Sequence, residues 1–309
     1  MVEDIKKVEL HLHLEGSIML ETAKKLANRE DIKNDMVAIN TKDLNEYLTK
    51  FDLPLVLMQT KENIKMIAQD LVKELEKNNV IYAEIRFCPV KDNISMEDVI
   101  DSVLEGLKSD KVKTNLILCM MRVFNEEKNM KIIDVASKYL NKGVVAIDLA
   151  GDENGHKLSE FVNLFELAKE RNIPFTIHAG EVDDIDIYDA LNLGVTRIGH
   201  GIKSNDEQLK IIKENNVLLE ICPTSNVDTR NVIEYSRHNI YDLYKKGISI
   251  SINTDNMTVS EITLNKEYEK LIDNFGFTKD ELIEINKNSI KYAFISENEK
   301  AELLKQYEV

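Results

Sequence analysis

Eight short apolar runs, rich in β-branched residues, recur along the chain. They are "VELHLHL" (8–14), "VIYAEIRF" (80–87), "TNLILCMM" (114–121), "VVAIDLAG" (144–151), "FTIHAG" (175–180), "TRIGHG" (196–201), "VLLEICP" (217–223) and "ISISINTD" (248–255). Most are nearly continuous in apolar character, the pattern of strands buried on both faces. Between them lie charged stretches with apolar residues at helical spacing, such as "SMEDVIDSVLEGLKS" (95–109), "LSEFVNLFELAKERN" (158–172) and "NDEQLKIIKENN" (205–216). Strand and helix in alternation imply right-handed parallel units. Eight of them in 309 residues predict an α/β fold closed as a (β/α)8 barrel. The rival, an open doubly wound sheet, lacks its G-x-G-x-x-G after the first strand.

Two stretches depart from the repeat. Residues 16–79 are far too many for one crossover helix, and carry several helical patterns: "MLETAKKLANRE", "DLNEYLTKF" and "QTKENIKMIAQDLVKELEKNN". A long insertion beside a barrel mouth predicts a helical lid, with extra packing as the alternative. Within it, "TKFDLPLVLMQ" (49–59) fits a pocket cover and a core helix equally well. The tail after about Thr278 reads as helices packed on the barrel. With no repeats, low-complexity tracts or Pro/Gly linkers, residues 1–309 are read as one domain.

Composition narrows the function classes. The chain is 43% hydrophobic with a formal net charge of −15. Such a chain repels phosphate backbones, so nucleic acid is not an expected partner. Cys88, Cys119 and Cys222 lack C-x-x-C spacing, which argues against a disulfide framework and for a reducing compartment. "MVEDIKKVEL" has no apolar signal-peptide core, and no apolar run reaches the roughly 18 residues of a membrane span. A cytoplasmic protein without an obligate protein partner is expected.

The chemistry gathers at strand ends, where a barrel of this kind keeps its active site. His11, His13 and Glu15 follow one another at two-residue spacing, which puts them on one face of an extended strand, opposite Leu10, Leu12 and Leu14. Later strands end in "LAGDE" (149–153), "HAGE" (178–181), "GHG" around His200, "CPTSN" (222–226) and "NTDN" (253–256). Any one histidine in a strand is more often a satisfied core residue than a ligand. Four of the six at one mouth change that balance. The other two, His156 and His238, are read as surface residues.

Imidazoles with one carboxylate suit Zn²⁺. His11 and His13 reach one ion from a straight strand, and His178 and Asp255 close the site from strands five and eight. Glu181 and His200 are then left over for chemistry. An ion that acidifies bound water to a pKa of about 7, beside a carboxyl and an imidazole, makes a hydrolytic constellation. Cys222 has no activating neighbour and is read as a small buried residue. The glycines of "RIGHG" serve a close backbone approach or a tight turn.

The ordered set "ELHLHLEGS", "YLTKFDLP", "GVVAIDLAGDE", "IHAGE", "IGHGI", "EICPTSN" and "INTDN" resembles the adenosine deaminases of the metal-dependent hydrolase barrels across nearly the whole chain. The resemblance implies one Zn²⁺ on His11, His13, His178 and Asp255. It implies Glu181 as the proton donor to purine N1. His200 becomes the base and electrostatic partner of the attacking hydroxide. His13, Glu15, Gly151 and Asn256 become substrate contacts, with the Gly151 N–H meeting purine N3. The implied reaction turns adenosine, and 2′-deoxyadenosine, into inosine and ammonia through attack at C6, as in purine salvage. Larger members of the superfamily bind two metals across a carboxylated lysine on the fourth strand; "VVAIDLAGDE" has no lysine, so a single metal follows.

Two positions depart from the family pattern. Asn256 stands where many relatives have an aspartate at purine N7; its amide donates to that acceptor directly. Glu15 stands where adenosine-specific members usually have aspartate facing the ribose 5′-hydroxyl. The extra methylene is expected to push the carboxylate further into the sugar pocket. Adenine deaminases tend to carry glutamate there, so adenine is the alternative substrate. A zinc-binding barrel that has lost catalysis is the alternative of a different class; it requires a missing essential group, and none is missing.

Overall fold

The computed structural model describes residues 2–39 and 41–308. Eight parallel strands follow one another along the chain: β1 Lys7–His13, β2 Val80–Phe87, β3 Lys113–Met121, β4 Val144–Ala150, β5 His178–Ala179, β6 Arg197–His200, β7 Leu218–Ile221 and β8 Ser249–Ile252. Two four-stranded ladders, β1-β2-β3-β4 and β5-β6-β7-β8, account for the pairing. Single bridges join them. Leu12 pairs with Asp255 and Ile147 with Phe175, so the eight strands close into a ring. At the first joint the His13 N–H donates to the Asp255 carbonyl at 2.7 Å and the Asp255 N–H to that of His11 at 3.0 Å.

The fifth run is where prediction and structure differ most. Only His178 and Ala179 of 175–180 join a ladder with β6. Pro174 and Thr176 instead bond to Ile147 of β4, which pulls this segment across the joint.

Nearly every strand residue is buried, as strands between a filled barrel and a helical jacket require. The outward face meets helices. Lys61–Lys77 is typical: Thr60 caps its start, accepting from the Asn63 N–H, and Ile64, Ile67, Ala68, Leu71, Val72 and Leu75 line one stripe. Gly106 lets Met96–Gly106 cross this helix closely, since a Cβ there would sit 2.5 Å from the Lys65 carbonyl oxygen.

The barrel interior is ionic rather than aliphatic. Arg86 and Arg197, both fully buried, reach inward from β2 and β6 to Asp148, Glu220 and Glu84.

The segment after β1 begins with a 3-10 turn, Glu15–Ser17, and holds the helices Leu20–Ala27, Lys33–Met36, Leu44–Leu48 and Asp52–Leu57 before the crossover helix. The 49–59 stretch divides its faces. Phe51, Asp52 and Leu55 line a cavity, while Leu57 and Met58 join the core. Past residue 278, helices Lys279–Tyr292 and Glu297–Lys305 pack on the barrel, and the Asn286 side chain accepts from the Val8 N–H at 2.8 Å. Among the described residues no helix is long and apolar enough to cross a membrane. The three cysteines are free, with Cys119 and Cys222 buried.

Candidate active site

β1 extends to His13 and then stops. Both imidazoles therefore leave the same side of the strand, with Leu12 packed outward between them. Glu15 is not on the strand face but opens the 3-10 turn that follows.

His11, His13, His178 and Asp255 each offer a ligand atom, and these atoms lie within 4.8 Å of one another. His13 Nε2 and His178 Nε2 are 3.1 Å apart, while Asp255 Oδ1 is 3.4 Å from Nε2 of both His11 and His13. Like ring nitrogens converging on one carboxylate oxygen need a shared positive partner. Buried His11 Nε2 has no hydrogen-bond partner, which is the orphan a cation would satisfy. Three imidazoles and a carboxylate match the donor chemistry of Zn²⁺, although four protein ligands are one more than the usual catalytic number.

Three of the four ligands are held from behind. His11 Nδ1 lies 2.8 Å from Glu220 Oε2, and His178 Nδ1 lies 2.8 Å from Asp148 Oδ2. Ser225 Oγ donates to Asp255 Oδ2 at 2.6 Å. Arg86 joins two of these supports, donating to Glu220 at 2.7 Å and to Asp148 at 2.8 Å. Such outer partners orient a ligand and raise its basicity. Burial lowers the pKa values of His13 and His178, so both rings are neutral and ready to ligate. Burial opposes the Asp255 charge, yet the hydrogen bond and charge of His11 beside it hold its carboxyl far below the usual range.

Backbone strain marks the same place. His200 (φ +65°) and Asp255 (φ +60°) are non-glycine residues in the left-handed region, a cost that persists where function over-determines it. Gly199 explains part of "RIGHG": a Cβ there would stand 3.1 Å from His11 Cε1 and 3.2 Å from His178 Cα. Gly201 (φ +67°) supplies the turn, so that motif serves both purposes.

A cavity of about 430 Å³ opens over the ligands. Its walls include His13, Glu15, Gly151, His178, Glu181, His200, Asp255 and Asn256, so of the predicted site residues only fully buried His11 stays behind it. Glu153 clamps the turn after β5, accepting from the N–H groups of Gly180, Glu181 and Val182 at 2.6, 3.0 and 2.9 Å. Burial, and then the charges of Asp255 and Glu153, push the Glu181 carboxyl up to about 8. Glu181 Oε2 is 3.7 Å from His200 Nε2. Burial holds the His200 pKa well below its ordinary value.

Three expectations need correction or refinement. Glu15 lines the pocket with one carboxylate oxygen fixed at its wall. Its Oε1 accepts from the Cys88 N–H at 3.0 Å and lies 3.4 Å from buried Lys91 Nζ, which draws that oxygen to the wall. Asn256 turns Oδ1, buried and without a partner, against Gly16, where a Cβ would fall 1.8 Å away; its NH₂ is the end left for the pocket. His238 is not on the surface but only 3% exposed, because its ring is inserted behind Asn226. His156 is half-buried, its ring 3.2 Å from Glu160 Oε2.

Sequence reasoning missed Arg86, Asp148, Glu220 and Asn226. The first three left a signal: charges inside "AEIRF", "VAIDLA" and "LLEICP" are anomalous in otherwise apolar strands, whereas nothing local marked Asn226.

Over residues 6–308 the chain matches the family described as "Adenosine deaminase". The chain belongs to the adenosine deaminase family. It is 40% identical to an adenosine deaminase of Clostridium botulinum over 323 residues, covering 97% of this chain and 98% of that one. Solved structures of the same barrel include the N6-methyl-AMP deaminase of Arabidopsis thaliana (TM-score 0.89, 27% identity, 99% of this chain and 97% of that one). The adenine deaminase of Arthrobacter aurescens is similarly close (TM-score 0.89, 25% identity, 97% of each chain). Family membership and the site geometry together make this chain a metal-dependent hydrolytic deaminase.

Proposed function

We infer that this protein deaminates adenosine, and 2′-deoxyadenosine, to inosine and ammonia in purine salvage, with one Zn²⁺ on His11, His13, His178 and Asp255. The observation that carries this reading is the convergence of those four ligand atoms beside Glu181 and His200 in a member of this family. When bound, the ion supplies a water acidified to a pKa of about 7, hence a hydroxide nucleophile at neutral pH.

The remaining chemistry belongs to the chain. Below a pKa of about 8, Glu181 keeps its proton and donates it to purine N1, which draws electrons from C6. Thr229 Oγ1, 3.2 Å from Glu181 Oε1, holds that carboxyl in place. The Asn256 NH₂ donates to N7, and the Gly151 N–H to N3. The apolar side chains of Leu48, Phe51, Leu55 and Met121 exclude water around the base. Residues 16–79 act as the cover, since six of the lining residues come from them. As C6 becomes tetrahedral, the Glu181 carboxylate, its proton now on N1, takes the proton of the new C6 hydroxyl and passes it to the amino group; the C6–N bond breaks, ammonia leaves and the C6 oxygen becomes the carbonyl of inosine.

A nucleoside suits the pocket better than a nucleotide. No lysine or arginine is among the residues lining it, while Glu15, Asp52 and Asp152 are. A 5′-phosphate would meet these carboxylates without a counter-charge. Adenine is the second reading, favoured by glutamate at position 15. The tie of Glu15 Oε1 to Cys88 and Lys91 weakens it, because it leaves the sugar space open. The net charge of −15 supports reading it as a cytoplasmic enzyme that does not bind nucleic acid.

The test is a parallel assay of adenosine, adenine and AMP with metal quantification, before and after chelation. Adenosine turnover that needs stoichiometric zinc is expected. Preferred turnover of adenine or AMP would refute the substrate assignment, and no turnover of any purine by zinc-loaded protein would favour the catalytically silent barrel.

A further inference from the structure

His238 and Asn226 stand outside the reaction just described. Neither lines the cavity, and both are buried. Yet they form a continuous polar chain to His200. The Ile240 backbone N–H donates to His238 Nδ1 at 3.0 Å. His238 Nε2 lies 3.2 Å from Asn226 Oδ1. Asn226 Nδ2 lies 3.1 Å from His200 Nδ1.

The protons in this chain are determined at its far end. A backbone N–H only donates, so His238 Nδ1 carries no proton. Burial, and then the charge of Lys203, push the His238 pKa down to about 3, so the ring is neutral with its single proton on Nε2. That proton needs an acceptor, and Asn226 has only Oδ1 to offer. The carboxamide is thereby oriented with its NH₂ toward His200. If it were turned over, two buried donors would face each other at His238, and His238 could not change tautomer to relieve them without opposing the Ile240 N–H. A ring nitrogen that receives an N–H is unprotonated. With Nδ1 receiving the Asn226 N–H, the His200 proton sits on Nε2, the nitrogen nearest Glu181 and the cavity.

We propose that Ile240 N–H, His238 and Asn226 form a tautomer relay which makes His200 present an Nε2–H donor, not a lone pair, to the attacking oxygen. The proposal rests on the reading of the site given above. It separates the two roles the family resemblance gave His200 and assigns it the electrostatic one. The donor stabilises negative charge on the nucleophile and holds it toward C6. His238 and Asn226 are positioning residues that act only through His200.

The test reads the proton directly. Zinc-loaded protein labelled with ¹⁵N-histidine is examined by long-range ¹H–¹⁵N correlation, before and after chelation, with the His200 signals assigned by their loss in His200→Asn. The expected spectrum has His200 Nε2 protonated and Nδ1 unprotonated, with the same pattern at His238. Any other pattern at His200 in the unsubstituted protein overturns the proposal, whatever the activity. Asn226→Asp provides the second arm. A carboxylate accepts at both ends, so it accommodates His238 but demands a proton on His200 Nδ1. The tautomer should invert and kcat for adenosine fall about a hundredfold, with KM within about threefold. An inverted tautomer with undiminished kcat would mean that His200 works as an acceptor, and the relay as described would be wrong. If Asn226→Asp does not fold, the spectrum of the unsubstituted protein decides.

Discussion

Arg86 offers a strict test of how the barrel interior supports the site. Its guanidinium is fully buried and donates at 2.7 Å to Glu220 and 2.8 Å to Asp148, the carboxylates behind His11 and His178. A third bond, at 2.6 Å, goes to the Leu10 carbonyl oxygen on β1. Arg86→Met keeps much of the volume and removes the charge. Two buried carboxylates then face each other with their shared cation gone. Arg197 still reaches Glu220 but not Asp148. Breaking a buried pair by deleting one partner costs about 3–5 kcal/mol. At a domain of this size that is a fall in Tm of roughly 5 to 10 °C. Metal affinity should drop as well, by about ten- to a hundredfold, because the outer partners lose their orientation. The assay is thermal unfolding of chelated and zinc-loaded protein, with zinc titrated against a competing chelator. Adding Asp148→Asn to Arg86→Met should recover part of the stability, since one stranded charge is gone, but not the metal affinity. If Arg86→Met melts within about 2 °C of the unsubstituted protein and binds zinc normally, the claim that one guanidinium organises both histidines is wrong.

Four further outcomes follow from the geometry. Glu181→Gln should retain zinc and lose at least about a hundredfold in kcat, measured by the absorbance change on deamination; a fully active variant would remove Glu181 from the proton-donor role. Because the Glu181 pKa is raised from 4.5 to about 8, its donor form persists through neutral pH and is lost above it. The kcat for adenosine should therefore decline as pH rises through about 8, and a rate still climbing well above that pH would contradict the assignment. Gly16→Ala places a Cβ 1.8 Å from Asn256 Oδ1, so both it and Asn256→Ala should raise KM, with the two changes less than additive in a double-mutant cycle. Gly199→Ala presses on His11 and the β5 backbone at 3.1 and 3.2 Å; it should weaken zinc binding in a chelator competition while leaving the purine contacts at the other side of the cavity unchanged.

Local pattern was enough for a good part of this protein. Strand runs separated by helical periodicity determined the barrel, because both periods are properties of neighbouring residues. The two-residue spacing of His11 and His13 determined that they share a face, and strand ends determined which residues meet at the mouth. What pairs with what was decided only in three dimensions. Arg86 is 62 residues from Asp148 and 134 from Glu220, and no local rule joins charges across such distances. Glu15 looked like the next member of an inward-facing series, yet β1 ends at His13 and Lys91 draws the carboxylate aside. His238 sits in "YSRHNIYD", a polar context that reads as surface; the fold buries it with its Nε2 3.2 Å from Asn226 Oδ1, a partner twelve residues away. Periodicity reports which way a side chain leaves its own backbone. The energy of a buried polar group depends on the partner it finds, and that partner is chosen by the tertiary fold.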